Sequence, residues 1–201
     1  MTLMNPVQPR QAGGLVTPLV SPGAPVTRTS QGAPVTRTGL VRLRVDADDP
    51  HRRDLSPQEL GVLRLIADGR TKDEISRRLG LSTSTVSRHM TRAYRALGAR
   101  NAAHAVALAH ASGLIARRPM PAAPFVSRRE RQVLAGVAYG LTSEEVAERL
   151  SLSGETVKVH LRHIYRKLDV VCRASAVDTA INRRLLAVVL DDGGARAAGP
   201  G

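Results

Sequence analysis

Residues 142–168 read TSEEVAERLSLSGETVKVHLRHIYRKL, and residues 71–97 read TKDEISRRLGLSTSTVSRHMTRAYRAL. In each stretch a threonine stands three residues before a glutamate, Thr71 before Glu74 and Thr142 before Glu145. That spacing is a capping box: the hydroxyl accepts from an orphan amide of the first turn, and the carboxylate reaches back to the cap's own N–H. A short helix is predicted there, burying Ile75 and Leu79 in one copy and Val146 and Leu150 in the other. Gly80-Leu81 or Ser151-Leu152 then turns the chain. Ser82 or Ser153 caps a longer helix whose apolar face carries Val86, Met90, Ala93 and Leu97, or Val157, Leu161, Ile164 and Leu168. Two helices joined by so tight a turn form a helix-turn-helix.

Working outward, the match continues without a gap until residues 55–115 lie on 126–186, so the repeated unit is the object to interpret. Ser56 and Glu59, like Ser127 and Glu130, form a further capping box, and Pro57 fits the first helical position, where no donor is missed. The helix so started buries Val62, Leu63, Ile66 and Ala67, or Val133, Leu134, Val137 and Ala138, and stops at Gly69 or Gly140. A fourth, alanine-rich helix is predicted to begin near Asn101 or Cys172 and to pack closely on the first. The expected fold class is all-α: two tandem four-helix domains, residues 55–115 and 126–190. The third helix turns Ser84, Ser87, Arg88, Thr91, Arg92 and Arg95 outward in one copy, and Glu155, Lys158, Val159, Arg162, His163 and Arg166 in the other.

These residues resemble the LuxR-type (GerE-like) helix-turn-helix domain of bacterial transcription regulators. The second copy carries VSRRERQVL, the 142–168 stretch quoted above and a trailing Arg173 before Ala176; the first carries LSPQELGVLRLIADGRTKDEISRRLGLSTSTVSRHMTRAYRALGA. Both contain T-V-x-x-H, from Thr85 to His89 and from Thr156 to His160. The resemblance implies double-stranded DNA as partner, the third helix in the major groove, and pairing through the fourth helices, either between two chains or within one. It puts the base-contacting lysine at Lys158, followed by Val159 and Arg162. The corresponding trio in the first copy is Ser87, Arg88 and Thr91, and Ala102 stands where the second copy has Arg173. The candidate DNA-contacting set is Thr85, Ser87, Arg88, Thr91, Arg92 and Arg95 with Thr156, Lys158, Val159, Arg162 and Arg166. Lysine and arginine can donate to the guanine O6/N7 edge, whereas serine and threonine bond several edges, so the second unit is expected to read sequence more strongly. Two rival readings stand beside this one. In the first, only the second repeat reads DNA and the first docks RNA polymerase or another regulator. In the second, RHMTRAYRAL is similar to the promoter-binding end region of sigma factors, but no promoter-melting region accompanies it.

Composition fits an anionic polymer as partner: the formal charge is +13 over 201 residues and the pI is about 11.4. Both repeats carry more basic than acidic side chains. In the second, Glu130, Glu144, Glu145 and Glu148 sit on the first two helices, while Lys158, Arg162, Arg166, Lys167 and Arg173 lie on or after the third. Aromatic residues make up only 2%, too few for the base-stacking platforms that single strands require, so duplex DNA is the better target. Tyr94 and Tyr165 are expected to pack with the hydroxyl at the rim, or else to donate it to a phosphate. His89 and His160 are expected on the DNA-backbone side of the third helix.

Residues 1–54 are rich in proline, glycine, threonine and serine, and GAPVTRT occurs at 23–29 and again at 32–38. Such a leader cannot bury enough apolar surface to offset its ordering entropy, so disorder is expected, with Leu40 to Val45 able to add a short strand or arm. No sensor domain is expected in it. Residues 116–125, with Pro119, Pro121 and Pro124, read as a semi-stiff tether. Ten extended residues reach about 33–36 Å, the separation of half-sites one helical turn apart, which leaves direct-repeat and two-fold arrangements both open. The run LLAVVL at 185–190 is expected to prolong the fourth helix, followed by a disordered tail over 191–201. One cysteine, Cys172, excludes an intrachain disulfide and a cysteine-rich zinc site. His160 and His163 lack a third metal ligand, and no phosphate cradle, nucleophile elbow or paired carboxylates appear. No cofactor and no catalysis are expected. With no apolar run long enough to span a bilayer, and no signal-peptide pattern, a cytoplasmic, nucleoid-associated location is expected.

Overall fold

The third helix is the longest element of each repeat, and the others hold it by one face. The computed structural model describes residues 40–44, 54–122 and 124–191. Repeat one forms α1 (Pro57–Ala67), α2 (Lys72–Leu79), α3 (Thr83–Leu97) and α4 (Ala102–Ala111). Repeat two forms α5 (Arg128–Ala138), α6 (Ser143–Leu150), α7 (Gly154–Leu168) and α8 (Arg173–Asn182). Two strands, β1 (Leu40–Arg44) and β2 (Ala187–Asp191), complete the described chain.

The helix starts obey the caps. Ser56 Oγ accepts from the Glu59 amide at 3.3 Å while the Ser56 amide donates to Glu59 Oε2 at 2.9 Å. The same pair of bonds joins Ser127 with Glu130, Thr71 with Glu74 and Thr142 with Glu145. Each such cap is worth about 1 kcal/mol. Val62, Leu63, Ile75, Val86 and Leu97 are buried together, as are their counterparts Val133, Leu134, Val146, Val157 and Leu168. α3 therefore rests on α1 and α2, and α7 on α5 and α6.

The repeats meet through their fourth helices, α4 against α8. The contact is reciprocal: α1 also packs on α8, and α5 on α4. Gly69 lies against Ser175, and its counterpart Gly140 lies against His104, the counterpart of Ser175. A surface whose residues exchange roles in this way is isologous, which is the mark of a two-fold relation. Ala103, Ala105, Ala107 and Ala109 on α4 and Ala174, Ala176 and Ala180 on α8 are buried, small side chains that let the helices approach closely.

Four expectations need correction. Leu79, expected to be buried with Ile75 on α2, is 38% exposed. Leu40 to Arg44 is not part of a disordered leader: Val41 and Leu43 are fully buried, and β1 pairs in parallel with β2 from Leu40↔Ala187 to Arg44↔Asp191. The rest of the leader expectation, at 1–39 and 45–53, lies outside the described residues, as does the tail from 192. The run 185–190 does not prolong the fourth helix. α8 ends at Asn182, Arg184 takes a left-handed φ of 58° that turns the chain, and the β-branched Val188 and Val189 that follow suit a strand. Asp191 thus belongs to β2. Nor is 116–125 a free tether. The Arg118 amide donates to Asn182 Oδ1 at 2.9 Å, and its guanidinium spans Asp68 and Asp178, each at 2.8 Å.

Candidate nucleic-acid interface

In α3 the buried face is Val86, Ala93, Ala96 and Leu97, which leaves Arg88, Thr91, Arg92 and Arg95 exposed and Thr85 and Ser87 half-buried. In α7 burial of Val157, Leu161, Ile164 and Leu168 leaves Lys158, Arg162, His163 and Arg166 exposed, with Thr156 and Val159 half-buried. Each third helix therefore gathers its expected set on the face away from the core. Lys158 touches Glu155 at 3.5 Å, an exposed pair too weak to withhold the ammonium from a ligand. Thr85 Oγ1 and Thr156 Oγ1 sit 2.8 Å from the cap hydroxyls of Ser82 and Ser153, so both threonines serve the helix start first. Thr91 donates its hydroxyl to the Ser87 carbonyl at 3.0 Å, leaving an oxygen that can only accept.

Several basic or polar groups near these helices face inward. Lys167 Nζ donates to both carboxylate oxygens of the buried Glu130, at 2.8 and 2.9 Å. Burial pushes the Glu130 carboxyl up, but Lys167 and the Ser127 amide and hydroxyl outweigh it and hold its pKa below the usual value. Arg173 donates to the Leu141 carbonyl and to Ser143 Oγ, joining the fourth helix to the start of α6. Both cations stabilise repeat two instead of adding to an exposed stripe. The Tyr94 hydroxyl is buried without a hydrogen-bond partner, and burial pushes its pKa up to about 12, so it neither sits at a rim nor reaches a phosphate. His89 is half-buried with Nδ1 enclosed, and His160 is half-buried too.

Sequence reasoning passed over α2, where Lys72, Arg77 and Arg78 are exposed. The equivalent α6 exposes Glu144, Glu148 and Arg149, so the helix preceding the third is slightly basic in repeat one, where Asp73 and Glu74 offset part of the charge, and net acidic in repeat two. The signal lies in the sequence, in KDEISRRL against SEEVAERL, where Arg77 and Arg78 stand at the positions of Glu148 and Arg149.

Between the repeats, Asp178 is the hub: His110 Nε2, Arg118 Nη2 and Asn182 Nδ2 each lie 2.8 Å from its carboxylate. Burial works against the charge of Arg118, yet Asp178 and Asp68 hold its pKa above normal. Nearby, Asn101 Nδ2 donates to the Gly140 carbonyl and Arg100 pairs with Glu145 at 2.7 Å. The Glu145 carboxyl is held low, by the Thr142 amide first and also by Arg100.

Residues 53–109 and again 125–180 match the family model described as bacterial regulatory proteins, luxR family, together a little over half of the chain. The chain belongs to the luxR family. The chain is also similar to the probable transcriptional regulatory protein NarL of Mycobacterium tuberculosis, 43% identical over 75 residues, which are 37% of this chain and 35% of that one. The probable transcriptional regulatory protein SgaR of Hyphomicrobium methylovorum is 45% identical over 60 residues, 29% of this chain and 28% of its own. The HTH-type transcriptional regulator MalT of Vibrio campbellii is 39% identical over 57 residues, 28% of this chain but only 6% of its own. The luxR-family chain thus spans about a third or less of the length of these relatives. No solved structure matches it. Among the described residues no helix is long and apolar enough to cross a membrane.

Proposed function

We propose that this luxR-family chain is a sequence-specific regulator of transcription that binds double-stranded DNA and reads the major groove with α3 and α7. The observation that carries this is the pair of helix-turn-helix units whose third helices are each anchored by one apolar face and present donors and positive charge on the other. Lys158 and Arg162 are suited to the O6/N7 edge of guanine and Val159 to the thymine methyl. Arg88, Arg92, Arg95 and Arg166, with Arg77 and Arg78 on α2, are suited to phosphates, which fix position without reading sequence. Repeat one, with its slightly basic α2 and its serine and threonine at reading positions, contributes more through the backbone; repeat two contributes more base discrimination.

Selection of bound duplexes from a random library by the full chain tests the reading. A defined motif is expected, with affinity falling steeply as salt rises. If no duplex is preferred over a scrambled competitor at moderate ionic strength, the reading is wrong. If the repeat-one face can lose Arg88, Arg92 and Arg95 to alanine with no change in footprint or affinity, repeat one is a protein-docking module such as one for RNA polymerase.

A further inference from the structure

We infer that a single copy of this chain acts as an internal dimer and recognises two inverted half-sites of unlike sequence. The inference rests on the DNA-reading function proposed above and deepens it by fixing the form of the target.

The orientation follows from the contact between repeats. A direct-repeat arrangement would bring different faces of the two units together. Here the same face is used twice: Gly69 meets Ser175 while Gly140 meets His104, and α1 meets α8 while α5 meets α4. A two-fold protein places its two recognition helices antiparallel with respect to the duplex, so its half-sites are inverted.

The stoichiometry follows from the polar key at the interface. His110 on α4 binds Asp178 on α8 with both side chains buried. The counterpart of Asp178 in repeat one is Ala107, and the counterpart of His110 in repeat two is Ile181. Two copies joined α4 to α4 would set His110 against Ala107. Joined α8 to α8, they would bury Asp178 against Ile181, away from His110. Arg118 and Asn182 would still hold Oδ2 of Asp178, but its buried Oδ1 and the buried His110 Nε2 would each lose their partner, which is disfavoured, so only the unlike pair satisfies the key. That pair is already made within one chain.

The strands lock it. β1 precedes repeat one but packs on α5 of repeat two, and β2 follows repeat two but packs on α4 of repeat one. Their pairing over five residues straps each repeat to the other. The two readers so fixed are chemically different, Ser87, Arg88 and Thr91 on α3 against Lys158, Val159 and Arg162 on α7. The preferred target is therefore not a palindrome.

The experiment uses the full chain and the motifs returned by library selection. Four duplexes are compared by fluorescence anisotropy and sedimentation velocity: the two unlike motifs inverted, the same two as a direct repeat, and each motif as a perfect palindrome. The expected result is a one-to-one complex on the inverted unlike pair, with roughly tenfold or greater weakening on the other three, about the effect of one or two mismatched base pairs. Tight binding to the direct repeat, or a two-to-one complex on a palindrome, overturns the inference while leaving DNA reading intact. Absence of any selected motif removes the DNA reading and this inference with it. The free chain is expected to sediment as a 21.5 kDa monomer, and a concentration-dependent dimer also overturns the proposal.

Discussion

Acidification should loosen the contact between the repeats through His104. Its side chain is buried, 6% exposed, with Nδ1 accepting from the Arg100 amide at 3.2 Å and the ring stacked on Tyr139 at 6.2 Å between centroids. Burial first, and the positive charge of Arg100 second, lower its pKa from 6.5 to about 4. The unfolded chain therefore takes up a proton as pH falls through 6.5 while the folded chain resists until about pH 4, so this stabilisation is complete above pH 6.5 and is lost on the way down. Between pH 7 and pH 5 the loss works out at about 2 kcal/mol, or about 4–8 °C in Tm for a chain of this size. The assay is urea and thermal unfolding at both pH values for the wild type and for His104→Gln, which cannot titrate but keeps an acceptor. Carboxylates and the other histidines are common to both proteins, so the difference between the two pH responses isolates His104. Parallel responses would show that the ring is not held neutral, and would refute the assignment.

Asp178→Ala should cost about 2–3 kcal/mol, because His110 and Asn182 lose a buried acceptor while the half-exposed Arg118 can turn to water; urea unfolding checks it, and a loss under 1 kcal/mol contradicts the hub. Gly136→Ala should be a net loss of about 1 kcal/mol: a Cβ there would lie 2.7 Å from Val146 Cγ2 on a stiff β-branched side chain, and the overlap outweighs the gain in helix propensity. Ser151→Gly should raise stability by a few tenths to about 1 kcal/mol, because Ser151 holds a left-handed φ of 52° where repeat one has Gly80; a drop in Tm would count against strain at that turn.

Local chemistry was the legible part of this fold. The capping boxes, the left-handed stops and the apolar face of each third helix depend on residues a few positions apart, and Ser56, Thr71, Ser127 and Thr142 cap where their spacing places them. The exposed face of α7 was legible for the same reason, since burial of Val157, Leu161, Ile164 and Leu168 dictates where Lys158, Arg162 and Arg166 emerge. Partnerships distant in sequence were not. Leu40 to Arg44 gains its partner only at Ala187 to Asp191, so its alternation could suggest a strand without supplying a sheet. Lys167 looked like part of a basic stripe until the start of α5 brought Glu130 beside it. Arg118 looked like linker charge because its partners, Asp68 and Asp178, belong to different repeats.

The internal two-fold also changes what one substitution does. In a homodimer every reading residue occurs twice, so a substitution that weakens one half-site by a given free energy weakens the other equally, and the cost doubles. On the proposed reading, Lys158 would face one half-site and Ser87, the residue that stands at its position in repeat one, the other. Lys158→Ala should therefore cost about 1–3 kcal/mol once, the worth of a single good base contact, and should relax base preference in one half of the target only. Repeating the library selection with the variant measures this directly. Loss of information at symmetric positions in both halves would mean that two copies of repeat two read the site together, and the pairing of α4 with α8 within one chain could not then be the state that binds DNA.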